Sequence, residues 1–237
     1  MEQKMINWTD KFLLKESIYK NPLSCKGDVQ NYVLEGEAEL TFENGRMRMK
    51  NKLDHNLGQI ANYVLWCDVE FGDCVAYTWD FYPVSEPGLC MFLFCGQGIN
   101  GEDLFSDKLA PRNGVYDQYN KGDINVLHLG YYRRLGEELR SFHVCNLRKS
   151  YGFNLVSQGA DPMANVIDAI LPYKLILIKH KKDVLFAVND LTVLEWEDDG
   201  KKFGPIYTKG KAGFRHQSPM VAEYANFEVF NCEAVNH

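Results

Sequence analysis

The sequence predicts an all-β protein in which two antiparallel sheets pack face to face. The chain contains about a dozen short runs with the alternating polar and apolar character of strands, separated by Gly, Pro, Asn and Asp. Few windows support a long amphipathic helix. Of the 237 residues, 46% are hydrophobic and 13% aromatic, which provides enough apolar surface to offset the entropy lost on folding. Sheets must bury their apolar faces, which favours a sandwich, and we expect one domain over residues 1–237.

The predicted strands follow one another along the chain. Between positions 46 and 50, cationic residues alternate with methionines, a period of two that places them on opposite faces. Further strands are predicted over residues 61–67, 74–82, 88–95, 125–134, 141–148, 173–180, 184–189, 192–196, 211–215 and 224–230. The basic run 179–182 and the Asn-Asp pair at 189–190 indicate hairpin turns. Residues 10–19 and 162–169 could each form one or two helical turns.

Charge and cysteine usage indicate the surroundings in which the protein works. The formal net charge of −6 argues against nucleic-acid binding, which relies on cationic side chains that displace counterions from phosphates. No apolar stretch approaches the roughly 20 residues of a membrane-spanning helix, and Lys4, Asp10 and Lys11 interrupt any signal peptide. The seven cysteines form no CxxC motif and are predicted to be reduced, mostly buried thiols. We therefore expect a cytoplasmic protein with neither a nucleic-acid nor a membrane partner.

One glycine-rich segment matches a nucleotide-binding pattern in form only. Residues 96–101 fit GxGxxG after an apolar run, but that motif must open a helix whose amides meet a pyrophosphate. The following residues are too interrupted by Pro and Gly for such a helix, so we predict a polar loop and no cofactor. Asn100, Glu102 and Asp103 in this loop could bind sugar hydroxyls, act as an acid–base pair or cap the loop itself. They lack the spacing of a calcium loop, so no metal site is predicted.

The densest group of polar side chains on strands lies on two neighbouring runs, 122–134 and 142–151. About seven residues separate the two runs, so they are expected to pair as antiparallel neighbours. On the first, regular alternation places His128, Tyr132 and Arg134 on one face and Asn125, Tyr131 and Arg133 on the other. On the second, His143, Cys145, Leu147 and Lys149 share one face, while Asn146 and Arg148 share the opposite one. Either face of each strand could line a groove.

Trp79 is the aromatic residue considered for sugar binding, because indole rings pack on the C–H faces of sugars. The alternative is a core position, which we assign to Trp66 and Trp196 because both lie in strongly apolar runs. The acidic residues at 195–199 are interpreted as a solvated turn. His216 and Glu223, before the last strand, are weaker candidates.

Several longer motifs resemble one protein family over nearly the whole chain. They lie at residues 19–26, 34–37, 44–49, 86–89, 98–105, 145–153 and 158–162 (YKNPLSCK, LEGE, NGRMRM, EPGL, GINGEDLF, CNLRKSYGF and QGADP). On these motifs the chain resembles the YesU-like family of bacterial proteins, often encoded among rhamnogalacturonan-degrading enzymes. The resemblance implies a concanavalin A-like, galectin-like jelly-roll β-sandwich of two antiparallel sheets. It assigns no catalytic residues.

Two functions fit these observations. In the first, the protein is an enzyme that acts inside the cell on uronate-containing oligosaccharides of the pectin or rhamnogalacturonan type. Cations would hold the sugar carboxylate while a base removes the adjacent proton in a lyase elimination; hydrolysis by Glu102 or Asp103 is the close variant. In the second, the protein binds the sugar without chemistry, as a lectin does. Self-association through the basic strand pair, giving a homo-oligomer, is a third alternative.

The residues predicted for these roles fall into two groups. The candidate catalytic residues are His143, His128, Tyr132 and Glu102. The candidate substrate-binding residues are Trp79, Asn100, Asp103, Arg134, Asn146, Arg148 and Lys149, with Arg133 as a further cation.

Overall fold

The computed structural model describes residues 7–134 and 143–235, which form two antiparallel sheets stacked as a sandwich. Sheet A contains β1 (Phe12–Asn21), β3 (Ala38–Glu43), β4 (Arg46–Asn51), β6 (Cys74–Ser85), β11 (Tyr173–His180), β12 (Asp183–Val188), β13 (Leu191–Glu197) and β15 (Val221–Ala234). Sheet B contains β2 (Val33–Glu35), β5 (Tyr63–Phe71), β7 (Gly88–Gly98), β8 (Ile124–Arg134), β9 (Val144–Lys149), β10 (Asn154–Ala160) and β14 (Gly210–Gln217). The predicted fold class is confirmed.

The chain passes repeatedly from one sheet to the other, in several places through connections of only two or three residues. Sheet A runs β13-β12-β11-β6-β15-β4-β3, with β1 paired to β15, and sheet B runs β10-β9-β8-β7-β14-β5-β2. Strands close in sequence therefore alternate between sheets in several places, as in a jelly roll. The predicted hairpins are confirmed: β11 and β12 pair around the basic turn, and β12 and β13 pair around the Asn-Asp turn.

The core between the sheets is unusually aromatic. Trp79 of β6 stacks on Phe92 of β7 with ring centroids 4.7 Å apart, and Phe214 of β14 packs against Tyr224 of β15 at 4.6 Å. Both contacts cross from one sheet to the other, and burial of each such side chain stabilises the fold by roughly 1.5–3 kcal/mol. Aromatic side chains from both sheets thus belong to one apolar core.

The N-terminal segment corrects one secondary-structure prediction. Residues 10–19 were interpreted as able to form one or two helical turns, yet apart from a short 3-10 turn (Trp8–Asp10) this part of the chain is strand β1, paired from Phe12↔Ala234 to Asn21↔Phe227. Hydrogen bonds to β15 outweigh the weak helical pattern of an exposed segment. Within 162–169, a 3-10 turn forms at Val166–Asp168. The predicted strand 141–148 begins at Val144, and its positions 141 and 142 lie outside the described residues.

The long connection between β7 and β8 folds back over the outer face of sheet B. Its side chains Leu104 and Tyr119 are buried against Val64, Trp66 and Met91, forming a second, smaller apolar cluster on that face. A single helical turn at Asp117–Asn120 leads the chain back into β8. This segment, residues 99–123, covers the β5 side of the outer face and the start of β8, where Ile124 and Val126 belong to the same cluster; β8 from His128 onward and β9 lie outside that cluster.

The cysteines are all free thiols: Cys25 is exposed, Cys74 is partly exposed, and Cys67, Cys90, Cys95, Cys145 and Cys232 are buried. Within residues 7–134 and 143–235, no helix has the length and apolar character needed to cross a membrane.

Candidate functional site

A cleft of about 200 Å³ opens on the outer face of sheet B, less than the ~300–1,000 Å³ of a typical small-molecule site, so it could enclose only part of a larger ligand. We call it the arginine cleft. It is lined by Gln59, Leu89, Met91, Tyr116, His128, Gly130, Arg133, Asn146, Arg148, Phe153, Arg215 and Gln217. Three of these residues are arginines, and none of the described lining residues is Asp or Glu. The cleft is therefore cationic although the whole chain carries a net charge of −6.

Strand alternation explains which side chains reach the cleft. On β8, Leu127 and Leu129 belong to the core between the sheets, so His128 and Gly130 face outward. Gly130 has no side chain and leaves room above the sheet. On β14, Phe214 points inward, so Arg215 points into the cleft.

Arg215 is the deepest cation of the cleft, with only 1% of its surface exposed. Its Nη2 donates to the Gly114 carbonyl at 3.2 Å, and its guanidinium carbon lies 4.7 Å from the centroid of the Tyr116 ring. The Nε–H has no hydrogen-bond partner, and no carboxylate of the described residues pairs with this side chain. Burial lowers the pKa of Arg215, because a desolvated cation without a counter-ion costs several kcal/mol. An anionic ligand would offset that cost.

Arg148 and Arg133 surround the outer part of the cleft. The Nη1 of Arg148 donates to the Phe153 carbonyl at 2.9 Å, and the guanidinium carbon lies 3.6 Å from the Phe153 ring centroid. Partial burial lowers the pKa of Arg133, and the charge of Arg148 lowers it further. The two guanidinium groups are therefore close enough to repel one another, which an anion between them would relieve. Neighbouring Asn146 accepts from Gln158 at 2.8 Å, so its amino group remains available to a ligand.

His128 and Tyr116 bring two titratable groups into this cationic environment. The His128 ring is 1% exposed, neither of its nitrogens makes a hydrogen bond of normal geometry, and the ring lies edge-on to Tyr116 at 5.4 Å. Burial, and then the charges of Arg215 and Arg148, lower the pKa of His128 to about 3. Burial raises the pKa of Tyr116 to about 12, although Arg215, Arg148 and Arg133 oppose the shift. At neutral pH the site thus holds an uncharged imidazole and an uncharged phenol.

The structure corrects the predicted faces of β8. Tyr132 adopts a positive φ of 48°, and the pairing of β7 with β8 shifts register there. This bulge places both Tyr131 and Tyr132 in the core and turns Arg133 toward the cleft. Tyr132 instead donates to Glu86. Arg134 is buried in an ion pair with Asp161 at 2.8 Å, so neither predicted residue reaches the cleft.

On β9 the predicted division of faces is confirmed where the strand is regular. Asn146 and Arg148 both line the cleft, while Cys145 and Leu147 lie in the core. Lys149 is fully buried and pairs with Asp198 at 2.6 Å. His143 is exposed just before the strand begins and is not a lining residue of the cleft.

The polar loop after β7 is closed by its own side chains. Glu102 accepts from both the backbone N–H and the side-chain amide of Asn100, each at 3.0 Å, and Asp103 pairs with Lys211 at 3.0 Å. The hydrogen bond from the Asn100 side chain lowers the pKa of Glu102, whereas a general acid needs a raised pKa. None of these three residues lines the cleft.

The remaining candidates have structural contacts. Trp79 is in the core, and Trp66 and Trp196 are buried and partly buried. His216 lies between the hydroxyls of Tyr63 and Tyr224, at 2.8 and 2.6 Å. Glu223 pairs with Arg46 and Arg48.

Several residues of the cleft, above all Arg215 and Tyr116, were not among the predicted site residues. Arg215 could have been found, because strict alternation with Ala212 and Phe214 places it opposite the core. Tyr116 and Gln59 come from connections, where no periodicity indicates the direction of a side chain. Phe153 likewise follows β9 in a turn.

The sequence of the chain matches one known protein family. Residues 16–229 match the family model described as Domain of unknown function (DUF1961). Over 212 residues the chain is 47% identical to the uncharacterized protein YesU of Bacillus subtilis (strain 168), covering 90% of this chain and 94% of that protein.

Solved structures agree on the fold. A crystal structure of a protein of unknown function with a galectin-like fold, also from Bacillus subtilis, superposes with a TM-score of 0.90 at 45% identity, covering 95% of this chain and 100% of the other. The kappa-carrageenase of Pseudoalteromonas carrageenovora, solved in complex with an oligotetrasaccharide of kappa-carrageenan, superposes with a TM-score of 0.56 at 10% identity. That match covers 98% of this chain and 100% of the enzyme.

Proposed function

Because the chain belongs to the DUF1961 family and its fold is shared with lectins and glycoside hydrolases, we propose that it recognises uronate-containing oligosaccharides in the arginine cleft. The observation that carries the proposal is Arg215, a buried cation with an unpartnered Nε–H and no carboxylate pair among the described residues. A carboxylate ligand would supply both the missing charge and the missing acceptor.

The shape and chemistry of the cleft support a sugar rather than a simple anion. Exposed Phe153 and partly exposed Tyr116 offer aromatic surface for the apolar face of a sugar ring. Asn146 and Gln217 offer amide groups for hydroxyls. Several of the fold's relatives are named for carbohydrate binding or processing. The resemblance to a family encoded beside rhamnogalacturonan-degrading enzymes favours pectin-type fragments as the ligand. We propose that the protein binds them inside the cell.

A lyase reaction at the same site is the second candidate, favoured by His128, which lines the cleft beside Tyr116 with neither ring nitrogen in a hydrogen bond of normal geometry. His128 would take the proton from the ring carbon that bears the carboxylate. The released electron pair would form a double bond to the next ring carbon as the bond from that carbon to the glycosidic oxygen breaks. Tyr116, kept protonated by its raised pKa, would donate a proton to the leaving oxygen. Hydrolysis has less support, because no carboxylate of the described residues lines the cleft.

Calorimetry on the intact chain tests the binding proposal. We expect saturable binding of rhamnogalacturonan-derived and galacturonate oligosaccharides, and none of neutral galactose oligosaccharides of equal length. Arg148→Ala should weaken uronate binding by about tenfold to a hundredfold, since a hydrogen bond to a charged group contributes about 1.5–3 kcal/mol. Lys174→Ala, which removes an exposed cation on sheet A, is the matched control and should change nothing. Equal binding of neutral sugars, or no binding of any uronide, would contradict the proposal.

The lyase candidate is tested in the same samples. Elimination would raise ultraviolet absorbance from the unsaturated uronate together with new reducing ends, and His128→Gln should abolish both signals while leaving binding within a few fold. Binding without either signal would leave the protein a lectin-like module.

A further inference from the structure

The arginine cleft is closed on one side by the segment 99–123. Across sheet B the cleft spans β9, β8, β7 and β14, and the next strand, β5, is covered. There Leu104 and Tyr119 pack onto Val64 and Trp66. A sugar chain lying across the strands would meet this apolar cluster beyond β14.

Polar contacts hold the closing segment in place. Glu35 of β2 pairs with Arg112 at 2.7 Å and accepts hydrogen bonds from the Tyr119 hydroxyl at 2.8 Å and from Trp66 Nε1 at 2.9 Å. Gly114 approaches Asn62 so closely that a Cβ at this position would lie 2.0 Å from the Asn62 carbonyl oxygen. Its φ of +93° also favours glycine. These contacts fix the closing segment, residues 99–123, in place as part of the fold.

The two sides of the cleft differ in exposure. Arg215, next to the closing segment, is 1% exposed, whereas Phe153 at the β9 side is 54% exposed. Beyond Phe153 lies the edge strand β10, on which Leu155, Gln158 and Ala160 are exposed. A ligand can extend past β10 but not past β14.

Resting on the proposed function, we propose that the cleft takes the end of a sugar chain rather than an internal stretch. The terminal uronate places its carboxylate against Arg215 and its ring beside Tyr116 and His128. The next sugar unit lies over Phe153, and further units leave over β10 into solvent. The substrate class is therefore a short uronide or the terminus of a longer one.

Titration with galacturonate, digalacturonate, tetragalacturonate, hexagalacturonate and polygalacturonate tests this inference. We expect affinity to rise from the monosaccharide to the disaccharide and then to change less than about threefold, because later units make no contacts. Polygalacturonate should bind one protein per chain end. A gain above about tenfold from disaccharide to hexasaccharide, or many protein copies per polymer chain, would overturn the inference while leaving the proposed function intact. Failure of every uronide to bind would contradict both.

A pair of variants tests the orientation of the ligand. Phe153→Ala should weaken disaccharide binding by about threefold to tenfold and leave monosaccharide binding unchanged. Leu57→Ala is the control, because Leu57 is an exposed apolar residue outside the cleft lining. Equal losses for monosaccharide and disaccharide in Phe153→Ala would contradict the assigned order of sugar units.

Discussion

At the scale of single residues, Arg215 carries the proposed function and also has a predicted effect on stability. Its guanidinium is buried beside Tyr116 without a carboxylate partner among the described residues, so in the free protein it contributes a desolvation cost. Lys149 is buried to the same degree but pairs with Asp198. Both cations are buried, but only Lys149 has a carboxylate partner. Removing the charge should therefore change the free energy of unfolding differently at the two positions.

Replacing each cation by methionine measures this difference. Arg215→Met should leave the free energy of unfolding unchanged or raise it by about 1–2 kcal/mol, since an apolar side chain of similar volume removes an uncompensated charge. Lys149→Met should lower it by about 3–5 kcal/mol, because Asp198 is left buried without its partner. Urea unfolding of both variants provides the comparison. A strong loss of stability in Arg215→Met would show that the charge is compensated in the free protein.

At the scale of elements, regular strand alternation predicted which side chains of β9 line the cleft. Residues at a bulge or in a connection could not be predicted in this way. Asn146 and Arg148 lie on a regular strand, so their shared face followed from the sequence. The positive φ of Tyr132 inverts the last residues of β8, and no sequence pattern marks a bulge at a tyrosine. The position of Tyr116 depends on how residues 99–123 fold back over the sheet. Long-range contacts of Tyr119 with Glu35 and Trp66 determine that arrangement.

The contacts of Glu35 predict how the closing segment responds to mutation. Glu35→Gln should lower the free energy of unfolding by about 3–5 kcal/mol, because buried Arg112 loses its counter-ion. Amide hydrogen exchange should increase across residues 104–119. Glu102→Gln is the control: this carboxylate is exposed and accepts only from Asn100, so the change should stay within about 0.5 kcal/mol. Unchanged amide hydrogen exchange in Glu35→Gln would mean that apolar packing alone holds the closing segment in place.

At the scale of the whole molecule, net charge is a poor guide to the ligand. An acidic chain of charge −6 carries a concave surface with three arginines. Under the proposed function, the acidic groups would repel a polyanion at long range, while the three arginines would attract a single carboxylate at short range. This arrangement agrees with a short anionic sugar and disfavours a phosphate polymer.

Two buried histidines predict how stability depends on pH. Burial lowers the pKa of both His128 and His216 to about 3, whereas an unfolded histidine titrates near 6.5. Between about pH 6.5 and pH 3 the unfolded chain binds more protons, so stability falls as the pH is lowered, by up to about 1.4 kcal/mol per pH unit for each histidine. Unfolding of His128→Gln at several pH values should show a slope smaller by about one proton, while His55→Gln, which alters an exposed side chain, should keep the original slope. An unchanged slope in His128→Gln would mean that this imidazole is protonated in the folded protein.

The most direct test of the central claim is a crystal structure of the protein soaked with digalacturonate. We expect the sugar on the outer face of sheet B, with a carboxylate oxygen roughly 3 Å from a nitrogen of Arg215 and the second ring over Phe153. A disaccharide bound on sheet A, or one in the cleft whose carboxylates point to solvent away from the arginines, would contradict the claim.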